Sequence, residues 1–427
     1  MSYLINFLIA LGLIRTVSNL LNLLKQTKDA VFRFAQDYFF KLPYKGWMSL
    51  VASALPFILV IVLSQNANGE TIRSEPVIAL IATPFLFPFR LNNEPIKRLL
   101  VADVKDDAEY EGIEPQLFDN GESGKGLRIL MYRKDKKVDV YWQPGVRPGL
   151  QNLSIGDGIG DTAECVMSPS RFEMTGSGVY LDIVFTDKLG RRVRIYIREN
   201  NSDFHPVPFL APVGSNVKSP NKLFAVYMKE FDFVKRQGTE INLKIGNREL
   251  TPATFPLPMN GQRVYFIRYA TNLVIGEINS LPTKPVIIEN VRPGINKIDD
   301  LNLTIDDDGR IKECWVDQGN DPIGLKFEPG FPNLLALPRD KKIQGQWQYA
   351  VSSKVLFGGT YTLQRDQDKV TVELDVTQPW KPGKLPFTYR LLTIFIRSFR
   401  TWPTTYKWTG TVDLKNNIIV NETWVRK

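Results

Sequence analysis

The chain of 427 residues contains one histidine and two cysteines, and each shortage closes a class of chemistry. A single His205 rules out a multi-histidine metal site and any acid–base mechanism built on two histidines. Cys165 and Cys314 form neither a C-x-x-C pair nor a metal-ligand spacing, so they read as two buried thiols rather than a disulfide. There is no G-x-S-x-G nucleophile elbow. The stretch Asp119–Gly126 contains Gly-Lys, but Asp119 stands where a phosphate-binding loop needs its first Gly, and Gly126 where it needs Ser or Thr. The Gly-rich segment Gly156–Asp161 lacks G-x-G-x-x-G spacing and reads as a loop. Asp306-Asp307-Asp308-Gly309 lacks the calcium-loop spacing and reads as a hairpin turn. Carboxylates such as Asp182, Glu230 and Asp232 have no spacing that sets two of them across a glycosidic bond. No catalytic residue, metal or cofactor is expected, and the chain leans away from an enzyme.

What is present is an ordinary globular composition, 43% hydrophobic and 23% charged, enough to bury a sizeable core. Its length predicts two or three domains. The net charge of +9 favours anionic partners. Without a basic low-complexity tail, no nucleic acid is expected as a partner, and acidic lipid fits better. Nothing in the sequence sets an oligomeric state.

The N-terminal hundred residues point to a membrane. Over 1–46, Leu13, Val17, Leu20, Leu21, Leu24, Val31, Phe34 and Tyr38 recur at helical steps, with charged residues between them, which predicts an amphipathic interfacial helix ended by Pro43. Trp47–Ser64 follows, eighteen residues without a charge. As a helix it would reach about 27 Å, near the roughly 30 Å of a bilayer core. A second apolar run at Pro76–Phe89 suggests a membrane hairpin over 47–91, with spans near 47–64 and 76–91. Arg15–Lys45 carries six basic and two acidic residues, and Arg90, Lys97 and Arg98 follow the second run. Basic residues collect on the cytoplasmic side. A hairpin would therefore leave the large domain cytoplasmic, and a single span would place it outside.

From about residue 101 the hydrophobic period becomes two and turn signals recur about every ten residues. Paired runs such as Val179–Thr186 with Arg191–Glu199, and Leu301–Ile305 with Arg310–Val316, predict antiparallel hairpins. The Pro-rich segment Ser280–Asp300 divides a first β domain at 101–280 from a second at 301–427. The expected fold is an all-β soluble region of two antiparallel barrel or sandwich domains behind an α-helical membrane anchor. Gly345-Gln346-Trp347 opens a strand and Arg426 sits on the final one. This resembles the lipocalins, which begin with G-x-W and pack a late basic residue over that Trp. The resemblance implies a double barrel with Trp347 at a ligand site; a large sugar-binding β-sandwich is the alternative.

Two stretches carry candidate sites. On Arg191–Glu199, alternation places Arg192, Arg194, Tyr196 and Arg198 on one face, where they could bind an anion or pair across strands. Phe387–Trp408 combines aromatics with Arg390, Arg397, Arg400 and Lys407. It is either a buried strand leading to a hairpin or a surface lying on a bilayer through Phe395, Phe399, Arg400 and Trp402, alongside Trp47 and Phe57 from the anchor. The Pro-rich loop Phe204–Val213 could line a ligand entrance. The expected function is a non-catalytic, membrane-associated binding protein for an apolar or amphiphilic small molecule, with membrane lipid as partner. A carbohydrate-binding or carbohydrate-active sandwich with Trp142, Trp315 or Trp380 beside paired carboxylates is the second reading, and a scaffold in a membrane complex the third.

Overall fold

The computed structural model describes residues 84–427, apart from 121–122, 151–152, 154, 202, 213–219 and 318–320. The expected interfacial helix and the run Trp47–Ser64, with Trp47 and Phe57, lie outside the described residues. Residues from Leu80 onward belong to one compact unit. Among the described residues no helix is long and apolar enough to cross a membrane.

The body is all-β, and its first strand corrects the expected hairpin. Phe85, Phe87 and Phe89 recur at a spacing of two, which sets them on one face of a strand. Phe85–Phe87 forms that strand and pairs antiparallel with Val286–Ile288. Phe85, Leu86, Phe87 and Phe89 are all buried. Phe87 meets Phe327 and Phe331 edge-on, and Phe89 stacks on Phe327 at 5.8 Å. Each such side chain contributes about 2–3 kcal/mol by burial. The end of the supposed second span is therefore core of the β body. Only Pro76–Thr83 remains of that run, which as a helix would reach about 12 Å.

Two large sheets follow. The first has 15 strands and runs from Leu91–Asn93 to Leu273–Ile278. The second has nine, from Gly294–Ile298 to Ile418–Arg426, each paired antiparallel with its sequence neighbours. The chain crosses from one to the other within the Pro-rich segment after Ile278. The first and last strands of the nine-stranded sheet do not pair, so this sheet is open and the closed lipocalin-like barrel is not formed.

Alternation decides what each face covers. On Ile96–Lys105, Leu99 joins a core shared by both sheets, while Leu100 joins a second core inside the first sheet. The shared core holds Val226, Ile275 and Ile278 from the first sheet with Ile323, Leu325 and Trp347 from the second. Polar contacts tie the same seam: Lys229 to Asp321 at 2.9 Å, Lys354 Nζ to the Tyr227 hydroxyl at 2.7 Å, and Trp424 Nε1 to the Asn279 carbonyl at 2.8 Å.

Among the described residues one stretch is α-helical. Phe387–Phe395 is an α-helix, α1, and Arg397–Thr401 a short one, α2, between two strands of the second sheet. Leu391–Ile396 is apolar at every second position and equally at helical spacing, so periodicity alone does not separate the two states. Pro386 stands at the helix start, where its missing N–H costs nothing.

Candidate ligand cavity

The strands Tyr110–Asn120 and Gly124–Arg133 pair so that Gln116 lies opposite Arg128 and Glu114 opposite Leu130. Alternation then sets Gly112, Glu114 and Gln116 beside Arg128, Leu130 and Tyr132 on one face. Gly112 matters here: a Cβ would come within 3.3 Å of the Ala102 carbonyl oxygen and 3.5 Å of the Tyr132 ring. That face borders a cavity of about 780 Å³. Leu99, Val226, Met228 and Ile275 form apolar walls, and Phe209, Phe231 and Phe399 add an aromatic corner. Phe209 stacks on Phe231 at 5.3 Å and meets Phe399 edge-on at 4.9 Å.

The polar side of the cavity is a connected network. Arg128 is 2% exposed. Its Nε donates to Gln116 Oε1 at 2.6 Å, Nη1 to the Pro148 carbonyl at 2.6 Å and Nη2 to Glu94 Oε1 at 2.8 Å. Gln116 Nε2 donates to Glu114 Oε1 at 2.6 Å, and the Tyr132 hydroxyl donates to the other oxygen. Glu114 thus has two neutral donors but no cation in direct contact. Burial raises its carboxyl above the ordinary value; the bonds from Tyr132 and Gln116 and the charges of Arg128 and Arg268 offset only part of that. Lys222 and Glu277, both buried, form an ion pair at the cavity wall, and Ser280 Oγ donates to Glu277 at 2.9 Å.

The residues predicted from sequence fall elsewhere. Arg192, Arg194, Tyr196 and Arg198 do share a face, opposite the buried Val193, Ile195 and Ile197. Two of the four, Arg194 and Tyr196, are engaged in local pairing, while Arg192 and Arg198 are exposed. Arg194 reaches Asp182 at 3.4 Å and covers the Tyr196 ring at 5.3 Å, while the Tyr196 hydroxyl donates to Glu240 at 3.2 Å. Trp347 is buried in the shared core, with Nε1 donating to the Asp375 carbonyl at 3.2 Å. Arg426 lies over Tyr406 at 5.2 Å. Trp402 is 3% exposed and packs edge-on against Tyr406, so it is unavailable to a membrane surface. Phe399 is half-buried at the cavity, whereas Phe395 and Arg400 are exposed. The Pro-rich segment expected as a loop is a strand over Val207–Ala211, and it contributes Phe209, Ala211 and, just beyond it, Pro212 to the cavity.

Sequence reading did not single out Arg128, Gln116, Glu114 or Tyr132. One signal was present. Arg128 is the single charge within Leu127–Tyr132, a run apolar on both faces, and a charge buried there needs partners. His205 is exposed and bonded to Asp203 at 2.5 Å, with neither residue at the cavity. Among the described residues no group of His, Cys, Asp or Glu could hold a metal ion. No family model, curated protein or solved structure matches the chain.

Proposed function

We propose that the chain is a non-catalytic binding protein for a small amphiphile, with its apolar body against Val226, Met228 and Ile275 and its polar head at the Arg128–Gln116–Glu114–Tyr132 network. One observation carries this reading: a cavity of about 780 Å³ whose walls are mostly apolar and which has a connected polar network on one side. Ligand pockets typically have about 300–1,000 Å³ and this division of surface. The head group this network suits is an uncharged or protonated one. Each nitrogen of Arg128 already donates to an acceptor, and Glu114, its carboxyl raised by burial, has no cation in direct contact. The carbohydrate reading is weaker. Trp380 is buried, and Trp315 is engaged by Glu313 at 2.8 Å and covered by Lys326 at 5.3 Å.

The correction at Phe85 favours a single crossing over a hairpin. If Trp47–Ser64 crosses a bilayer, no second crossing remains before the β body, because Pro76–Thr83 is too short.

The test is a titration of the full chain, held in an amphipathic polymer, with a fluorescent fatty acid and its methyl ester. Saturable one-to-one binding is expected, with the ester bound at least as well as the free acid. Ala211→Trp, which fills the cavity from its wall, should weaken binding by at least about tenfold, a loss of 1.4 kcal/mol. Non-saturable partitioning that Ala211→Trp leaves unchanged would refute the reading.

A further inference from the structure

We infer that α1 and α2 form a docking surface for an anionic lipid bilayer. The inference goes beyond the amphiphile reading and does not depend on what the cavity holds.

Tyr389 and Leu392 turn inward and are buried. Phe387, Leu391, Ile394 and Phe395 recur at i, i+4, i+7 and i+8, so they form a second apolar stripe on the helix. This stripe faces out: Phe387 is 72% exposed, Phe395 76% and Ile394 49%, with Ile396 exposed at the helix junction. Phe387 and Phe395 are the two exposed phenylalanines among the described residues. Elsewhere exposed large apolar side chains are scattered; here four fall within ten residues. A clustered apolar patch of this kind marks an interaction site.

Charge identifies the occupant. Between Asp375 and Asp413 the chain has no acidic residue and six basic ones. Lys407 is paired with Glu373. The other five, Lys381, Lys384, Arg390, Arg397 and Arg400, are exposed, and none makes an ion pair among the described residues. Exposed phenylalanine and isoleucine beside Lys and Arg that form no ion pair suit acyl chains beneath anionic headgroups. The same charges would repel a basic protein surface. Phe399 on α2 reaches the cavity wall, so docking through the helices would bring the cavity to the bilayer.

The test uses the full chain reconstituted in vesicles, with Ile394→Cys in a Cys165→Ser background carrying an environment-sensitive fluorophore. Cys314 does not compete, being fully buried with its thiol pushed up to about 12. In phosphatidylserine-containing vesicles the label should shift to the blue and be quenched by bromine-labelled acyl chains. Replacing Arg397 and Arg400 by Glu should weaken the quenching by at least about fivefold for each charge removed. Phe387→Ala with Phe395→Ala should abolish it. A label that stays in water on these vesicles overturns the inference, as does equal insertion into pure phosphatidylcholine that the Arg→Glu changes do not alter. Because the readout is at α1, it is independent of fatty-acid binding, which can fail or succeed separately.

Discussion

Gly276 and Tyr349 meet where the two sheets pack: a Cβ on Gly276 would fall on the Tyr349 hydroxyl and lie 3.2 Å from Ile323 Cδ1. Tyr349 is fully buried and stacks on Phe357 at 4.9 Å, and its hydroxyl has no hydrogen-bond partner among the described residues. Gly276→Ala should therefore cost about 1–3 kcal/mol through overpacking. Tyr349→Phe removes an unsatisfied polar group and should stabilise by about 1 kcal/mol. The double variant should be more stable than the sum of the two single effects by at least about 0.5 kcal/mol. Thermal melts of the four proteins measure this, and strict additivity would mean the seam does not close at this pair.

Tyr389 ties α1 to the first sheet. Its hydroxyl donates to Asp232 Oδ1 at 3.1 Å, and Asp232 also pairs with the buried Lys235. Tyr389→Phe leaves a buried carboxylate short of a donor and should cost about 1–3 kcal/mol. Hydrogen exchange at Phe387–Phe395 should accelerate while the strand Arg192–Glu199 keeps its protection. Unchanged exchange in α1 would show that the helix is held by Leu392 and its apolar contacts instead.

Glu114 predicts a pH dependence of one sign. Its folded-state carboxyl titrates above the ordinary 4.5 because of burial. Below that value both states are protonated. As pH rises the unfolded chain loses its proton first, so stability falls until the folded pKa is passed. Glu114→Gln removes this loss. The melting temperature of the variant minus that of the wild type should grow from pH 4.5 upward, and a difference flat with pH would contradict the assignment.

Glu109 predicts the opposite sign. Arg191 binds it in bidentate fashion at 2.7 and 3.0 Å, and Arg248 adds a contact at 2.8 Å. These bonds hold its carboxyl at about 2. Its contribution is present above 4.5 and lost as pH falls from there toward 2. Glu109→Gln should cost about 1–2 kcal/mol at pH 7, toward the modest end because the network is partly exposed. The cost should vanish near pH 2. A deficit that persists in acid would assign the effect to packing.

The β body was legible because its signals are local. Val193, Ile195 and Ile197 alternate with Arg192, Arg194 and Tyr196, and the Asp306 carboxylate accepts the Asp308 and Arg310 N–H groups within the turn that Asp-Asp-Asp-Gly predicts. Phe85–Phe89 reads as part of a membrane segment because a strand buried on both faces has the same composition; the spacing of its three Phe is the distinguishing signal. The cavity was not legible. Its lining comes from segments between Glu94 and Tyr406, and only their tertiary arrangement gathers it. Trp347 drew notice through its motif yet serves the core, while Arg128, with no motif around it, anchors the polar wall.

The most direct test of the binding reading is photolabelling of the full chain with a diazirine-bearing fatty acid, followed by peptide mapping. The account predicts adducts on Leu223–Lys235 and Leu273–Ile278, removed by excess unlabelled fatty acid and lost in Ala211→Trp. Adducts confined to exposed surfaces, or labelling that neither competitor nor Ala211→Trp reduces, would contradict it.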